Sequence, residues 1–286
     1  MMTQNTLVLG AVAYDPKVVT IWDGFQTYFE QHGLEFDYVL FANYERQVEA
    51  LATGYIHVAW NSPLAWLQTQ RIADRLEQHA EAICMRDTDR DLVSVVVTRE
   101  GGAVRSVGDL RGRRVAVGAN DSPQATLIPL YFLAQQGLEP NRDFEVLPFD
   151  RLVGKHGDHI GGERDAVRAL LRGDCDAACL IDSNLLVFAQ EGTLPAGSVR
   201  TIATTPPYDH CNFTVLRGGM SASVERFREL LLGMSYEDPD VRRLLDLEGL
   251  KCWVPGRTEG YGLLSGAIDR FGYVEDFVAA VAVRCA

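Results

Sequence analysis

What most constrains this chain is an alternation of strand-like and helix-like runs that begins at Leu7. Leu7-Val8-Leu9-Gly10-Ala11-Val12-Ala13 is an apolar run, Tyr14-Asp15-Pro16 breaks it, and Val18, Val19, Ile21, Trp22, Phe25, Tyr28 and Phe29 then recur at the helical period until His32-Gly33. Phe36 to Phe41 alternates as a strand does, Asn43-Tyr44-Glu45 opens a helix through Leu51 that stops at Gly54, and Ile56 to Trp60 is a third strand. Asn61-Ser62-Pro63 opens the next helix, with Pro inside its first turn. A β-α-β-α-β series predicts a mostly parallel sheet with right-handed crossovers and helices on its faces. It also sets Tyr14, Asp15, Tyr44, Asn61 and Ser62 at one edge, beyond the carboxyl ends of the strands, where ligands of open α/β sheets collect.

A second series follows Glu100-Gly101-Gly102, a plausible hinge after the β-branched run Leu92 to Thr98. Its strands are Arg114 to Val117, Phe144 to Pro148 and Asp176 to Ile181, and its helices start at Pro123, Arg164 and Ser183. Thr201-Ile202-Ala203-Thr204-Thr205-Pro206-Pro207 reads as the return crossing, because paired prolines end a strand and stiffen a connection. Asn212 to Leu216 is again a strand, and helical patterns follow over Val224 to Met234, Asp238-Pro239 to Leu247, and Thr258 to Phe271. The expected organisation is therefore α/β in two lobes, residues 1–98 with 206–286 and residues 99–205, meeting at a ligand cleft. Within the second lobe, Val115 to Val117 is a strand, Gly118 to Ser122 a tight polar loop, and Pro123 the start of a helix capped by Ser122 or Asp121. The N–H groups and positive dipole end of that helix make Ser122, Gln124 and Thr126 candidates for an anion seat.

Composition narrows the partners. With 47% apolar residues in 286 the chain can bury a sizeable core, and a formal charge of −12 excludes nucleic acid or an anionic membrane surface as the main partner. The six cysteines are scattered, which predicts reduced thiols. Apolar runs fall short of the roughly 20 residues that span a bilayer, so no membrane insertion is expected. The N-terminal residues carry neither a basic stretch nor a small-residue cleavage site, so the expected location is cytoplasmic as written and periplasmic if the native N-terminus is longer. No Walker loop, dinucleotide fingerprint, zinc ribbon or nucleophile elbow is present, so no cofactor and no metal are expected.

Several short strings carry a family likeness: Leu-Val-Leu-Gly-Ala-Val near the start, Asn43-Tyr44, Val58-Ala59-Trp60-Asn61, Ser94-Val95-Val96-Val97, Asp109-Leu110-Arg111-Gly112, Val115-Ala116-Val117-Gly118 and Gly173-Asp174-Cys175-Asp176-Ala177-Ala178. In this order, over roughly residues 7 to 216, the chain resembles the phosphonate- and phosphate-ester-binding components of ABC transporters. The resemblance implies a type 2 periplasmic-binding-protein fold, a small-molecule ligand clamped between the lobes, and a permease partner. Where that family usually has a Ser-Thr-Ser-like run, this chain has Asp121-Ser122-Pro123-Gln124-Ala125-Thr126. By the same resemblance Arg164 stands where the family often places a phosphonate-contacting His, and Asp182 matches an Asp that meets a ligand amino group.

The most unusual segment is Arg151-Leu152-Val153-Gly154-Lys155-His156-Gly157-Asp158-His159-Ile160-Gly161-Gly162-Glu163-Arg164-Asp165, glycine-rich and dense in titratable groups. It reads either as a solvated loop or as a ligand-edge loop in which His156 and His159 donate to an anion or move protons. Trp60 reads as core; His210-Cys211 is a pair that could sit near the return crossing. The reading is a binding protein for a small anionic or zwitterionic solute, a phosphonate, phosphate ester or carboxylate. The alternative is a cytosolic enzyme on the same fold, as in families resembling chorismate dehydratase and pyrimidine synthase, with the histidines of loop 154–164 as acid and base.

Overall fold

The computed structural model describes residues 6–157, 161–216 and 222–285. In chain order the elements are β1 (Leu7–Val12), α1 (Lys17–Gln31), β2 (Phe36–Phe41), α2 (Tyr44–Ala52), β3 (Val58–Asn61), α3 (Pro63–Arg75), β4 (Ala80–Arg86), β5 (Ser94–Arg99), β6 (Arg114–Val117), α4 (Ile128–Gln135) and β7 (Glu145–Pro148). They continue with α5 (Gly161–Arg172), β8 (Ala177–Ile181), α6 (Ser183–Gln190), β9 (Val199–Thr204), β10 (Asn212–Leu216), α7 (Ala222–Leu232), α8 (Pro239–Glu248), β11 (Trp253–Pro255), α9 (Gly262–Phe271) and α10 (Glu275–Cys285). The chain divides into two units, Met1–Arg90 with Asp209–Tyr261 and Tyr273–Ala286, and Asp91–Tyr208 with Gly262–Gly272.

The first unit holds a sheet of order β11-β4-β10-β3-β1-β2. β1 runs parallel to β2 and β3, whereas β10 is antiparallel to both β3 and β4, and β11 to β4. The second unit's sheet has order β7-β6-β8-β5-β9, with β6 parallel to β7 and β8, and β5 antiparallel to β8 and β9. Both sheets are thus mixed, not mostly parallel. The cause lies in the strands that carry the chain between units: β5 and β10 enter their sheets without a crossover helix and so run against their neighbours. The stretch read as the return crossing is β9, paired to β5 from Val199 to Thr204 and ended by Pro206-Pro207.

Hydrophobic periodicity accounts for the core. α1 buries Val18, Ile21, Trp22, Phe25 and Phe29, one stripe of a 3.6-residue helix. That stripe meets Phe36, Trp60, Phe213, Phe227 and Trp253, with Phe213 4.6 Å from Trp60 and 5.1 Å from Phe227 between ring centroids. Trp60 is core, as its position inside a strand predicts. In the second unit Val96, Val115, Val117 and Cys179 cover one sheet face, and Val95, Ala116, Ala178 and Leu180 the other.

The helical tail is shared between the units, where its sequence pattern had placed all of residues 206–286 in the first. A Cβ on Gly266 would come within 2.5 Å of the Tyr131 hydroxyl, so α9 lies directly on α4, and Arg270 pairs with Glu139. α10 returns to the first unit, where Glu275 takes Arg71 and Arg75 of α3 at 2.8 Å each. None of the six cysteines is in a disulfide, and no described helix is long and apolar enough to cross a membrane.

Candidate functional site

In the second unit, the chain leaves β6 into loop 118–122 and a single π turn, Pro123–Leu127, that runs on into α4. Ser122 is extended (φ −75°, ψ 118°) and its hydroxyl accepts from the Ala125 N–H at 3.2 Å, while Pro123 fills the first helical position, where no donor is missed. Gly118 is required here, because a Cβ would stand 2.7 Å from that of Ala125. The Ser122 cap and the helix start at Pro123 are therefore built as the sequence predicts, and every residue from Pro123 to Leu127 is buried.

A second loop, residues 149–157, covers it. Asn120 donates its backbone N–H and its side-chain amide to the two Asp150 carboxylate oxygens, at 2.8 Å each. Gly154 donates its N–H to Asp121 Oδ2, and the other oxygen, Oδ1, is buried with no hydrogen-bond partner among the described residues. Gln124 donates from Nε2 to the Gly157 carbonyl at 2.6 Å. Gly157 has φ +75°, and a Cβ there would come within 2.8 Å of Gln124 Nε2, so only glycine lets the loops approach this closely. His156, wholly buried at φ +49°, belongs to the same covering loop, as does Lys155, whose ammonium is lowered from its ordinary value by burial.

Beneath the two loops lies Glu163. Its Oε2 accepts from the Ile181 N–H at 3.0 Å and from Asn184 Nδ2 at 2.8 Å, and its Oε1 stands 3.5 Å from Gln124 Nε2. Only 2% of Glu163 is exposed, and burial pushes its carboxyl up to about 7 against the hydrogen bonds that oppose the shift. Ser94 of β5 donates to the Gln124 carbonyl at 2.5 Å and meets the Tyr208 hydroxyl at 2.7 Å. A carboxyl that titrates near neutrality, a line of amides and two hydroxyls are thereby joined into one buried network.

Among the residues expected to form a site, Ser122, Gln124, Thr126 and His156 are brought together in these loops. Thr126 donates to the Ala119 carbonyl at 2.7 Å. Arg164 is turned to Glu191, bidentate at 2.6 and 2.9 Å, with its guanidinium 5.3 Å from the Phe188 ring centroid. Asp182 is exposed at the start of α6 and makes no cap hydrogen bond there. His159, with Asp158, lies outside the described residues.

In the first unit, Tyr14 is half-buried with Lys17 Nζ 5.8 Å from its ring, and Asp15 is exposed and accepts from the Lys17 N–H at 2.9 Å. Tyr44, 1% exposed, begins α2 in the core. Asn61 is fully buried, accepting from Gln47 at 2.8 Å and donating to Thr214 at 2.9 Å and Thr69 at 3.3 Å. Ser62 caps α3 through the Ala65 N–H at 3.1 Å.

Glu163, Asn184, Ser94 and Tyr208 were not among the expected site residues. The signal for Glu163 was in the pattern: it precedes Ala166, Val167 and Leu170 at helical spacing and so lies on the apolar face of α5, where a carboxylate is out of place. For Ser94 and Tyr208 no local signal exists, since only the second unit's tertiary pairing of Leu92 with Tyr208 brings them together.

Comparison with known proteins agrees with this architecture. The chain is 22% identical over 245 residues, 81% of its length and 77% of the relative's, to a probable ABC transporter phosphite binding protein, PhnD1, of Prochlorococcus marinus strain MIT 9301. The structure of PhnD1 from that organism in complex with methylphosphonate superimposes with a TM-score of 0.69 at 18% identity, covering 94% of this chain and 99% of the other. The periplasmic aliphatic sulphonate binding protein SsuA of Escherichia coli gives 0.55 at 16% identity, covering 93% and 84%. At these identities the superpositions speak for the fold. The family model described as ABC transporter, phosphonate, periplasmic substrate-binding protein matches residues 11–261, and the chain belongs to that family.

Proposed function

We propose that this chain captures a small oxyanion of the phosphonate, phosphite or phosphate-ester class in the periplasm and passes it to the permease of an ABC transporter. Family membership supports the transport role, and the names of its relatives support the ligand class. The observation that carries the reading is the capped turn after β6: Ser122, Gln124 and Thr126 stand at the positive end of a helix, at the carboxyl edge of a parallel strand pair.

That same edge is acidic. Asp121 follows β6, Asp182 follows the adjacent parallel strand β8, and Glu163 lies beneath. With a chain charge of −12, a dianion meets like charge near and far, whereas a zwitterion that also presents an amino group meets carboxylates suited to it. The proposed ligand is accordingly small and zwitterionic or singly charged, with Ser122, Gln124 and Asp182 as its contacts in the second unit.

The test is a thermal-shift screen over amino-phosphonates, alkylphosphonates, phosphite, phosphate esters, sulfonates and carboxylates, followed by titration calorimetry. A ligand at 100 times its Kd stabilises the folded protein by about 2.7 kcal/mol. Amino-phosphonates should give the largest shift. A protein freed of copurified ligand that responds to none of these classes would end the capture reading.

A further inference from the structure

We propose that Asp89, His210 and Cys211 of the first unit form a binding site for a zinc-class divalent cation. Asp89 Oδ1 lies 3.5 Å and Cys211 Sγ 3.1 Å from the same ring nitrogen, Nδ1 of His210, and one ligand atom from each residue falls within 4.8 Å of the others. A tetrahedral zinc with ordinary Zn–N, Zn–O and Zn–S distances sets its ligand atoms about 3.4–3.6 Å apart. The His210–Asp89 edge falls in that range, and the His210–Cys211 edge is a few tenths of an ångström shorter. A single Nδ1–H can serve only one of two acceptors well, whereas one cation meets all three donor atoms at once.

The donors suit this class of ion and not a harder one. Imidazole and thiolate select borderline-soft metals, and oxygen-only cages select calcium or magnesium. All three residues are buried, at 2%, 8% and 2% exposure, with His210 the most open. Arg86 holds Asp89 through Nε–Oδ2 at 2.5 Å and Nη2–Oδ1 at 2.9 Å, which fixes the carboxylate and still leaves Oδ1 a lone pair. The Glu248 carboxylate lies 3.4 Å from Arg86 Nη1. With Arg86 and Asp89 cancelling, a divalent ion is balanced in part by the Cys211 thiolate formed as it binds.

The backbone holds this triangle independently of any ion. The His210 N–H donates to the Asp89 carbonyl at 2.8 Å, and the Tyr261 hydroxyl donates to the His210 carbonyl at 2.8 Å. Asp89 lies just before the chain leaves the first unit at Arg90, and His210 just after it returns at Asp209. A cation here would cross-link the two segments through which the chain departs and returns. Asp89 is far in sequence from the adjacent pair His210-Cys211, so no spacing motif announces the three together.

Cobalt(II) reports the site directly, because a thiolate ligand gives a charge-transfer band in the near ultraviolet and a tetrahedral ion gives strong visible bands. Reduced, chelator-treated full-length protein should bind one equivalent with both signatures, and zinc should displace it. Cys211→Ser should abolish the charge-transfer band and weaken binding by more than about 100-fold, beyond the 10–100-fold typical of losing an outer-shell partner. His210→Gln should weaken cobalt binding while keeping the fold, which covers the case in which the serine variant does not fold. Cys252→Ser, at the exposed thiol beside Asp87, should change neither signature. A protein that takes up no cobalt, a band that survives Cys211→Ser or vanishes with Cys252→Ser, or unchanged binding in His210→Gln would overturn the assignment.

Discussion

Two buried polar networks, one centred on Asn61 in the first unit and one on Glu163 in the second, are of opposite character. In the first, Asn61 links Gln47, Thr69 and Thr214, Thr214 donates to Asn212 at 2.6 Å, and Asn212 donates to the Tyr261 hydroxyl at 2.8 Å. Every member of that chain is neutral, and it ties β3 and β10 to α2 and α3. In the second, the central member is Glu163, an ionisable group that burial has moved to about 7. Neutral amide and hydroxyl chains have one charge state and so define one structure. A network centred on a carboxyl near its pKa has two, and responds to a proton or a ligand. Asn61, expected at a ligand edge, serves the fold of its unit, while the acid that was not expected holds the position where chemistry can vary.

The largest effect should come from cutting the neutral network. Asn61→Ala leaves one Gln47 Nε2 hydrogen without its acceptor and takes one donor from the Thr214 hydroxyl, while Gln47 keeps the Trp60 carbonyl and Thr214 keeps Asn212, and each buried polar atom left unmatched costs about 1–3 kcal/mol. A loss of about 3 kcal/mol is expected in the urea transition of the first unit, with the second unit's transition unmoved. A cost below about 1 kcal/mol would show that this network is not what holds β3 and β10 together.

Glu163→Gln sharpens the other half of the contrast. Because the folded pKa of about 7 lies above the ordinary 4.5, the folded state binds more protons than the unfolded one between those values. Stability from this group is fully present below about pH 4.5 and falls as pH rises through 7, by about 3 kcal/mol in all. Glu248 in the first unit is also pushed up to about 7 by burial and adds a decline of its own. Glu163→Gln should therefore remove the part of the pH slope belonging to the second unit and stabilise that unit at pH 8 by about 1–2 kcal/mol. Unfolding followed at several pH values checks it, and an unchanged slope in the second transition would remove Glu163 from the titrating role.

Much of the fold was legible because hydrophobic period and turn chemistry are local. The period-two run of Phe36 to Phe41, the Asn43 and Ser62 caps and the Ser122-Pro123 helix start all lie where the residues place them. Strand direction was not legible, since nothing in Asn212 to Leu216 says that it inserts between β3 and β4. β4 itself was missed: Ala80–Arg86 is buried at nearly every position and so lacks the alternation that marks a half-exposed strand. Site residues divided by the same rule. The Ser122 cap was legible from its motif, whereas Asp89 meets the adjacent pair His210-Cys211 only through tertiary contacts, and Arg164 was assigned by matching positions in a family whose members need not share its neighbours.

Arg164 gives the smallest effect and the finest cut through the comparison. Its place in the family pattern points to an anion contact, while its geometry points to Glu191, held bidentate at 2.6 and 2.9 Å. That pairing, more than any other interaction, draws the Glu191 carboxyl down to about 2. Both side chains keep contact with solvent, at 23% and 32% exposure, so water screens the pair and it contributes little to stability. Burial of the guanidinium against Phe188 adds a stacking contribution of about 0.5–1 kcal/mol. Arg164→Ala should then lower the second unit's stability by about 1 kcal/mol and move the affinity for the best ligand of the screen by less than about threefold. Losing a charge-assisted contact to a bound anion would instead cost about 2–5 kcal/mol, roughly one and a half to three and a half decades in Kd, at an unchanged melting temperature. Titration calorimetry and thermal melting on the same variant separate these outcomes: a large loss of affinity would return Arg164 to the ligand and make Glu191 the partner it leaves on binding.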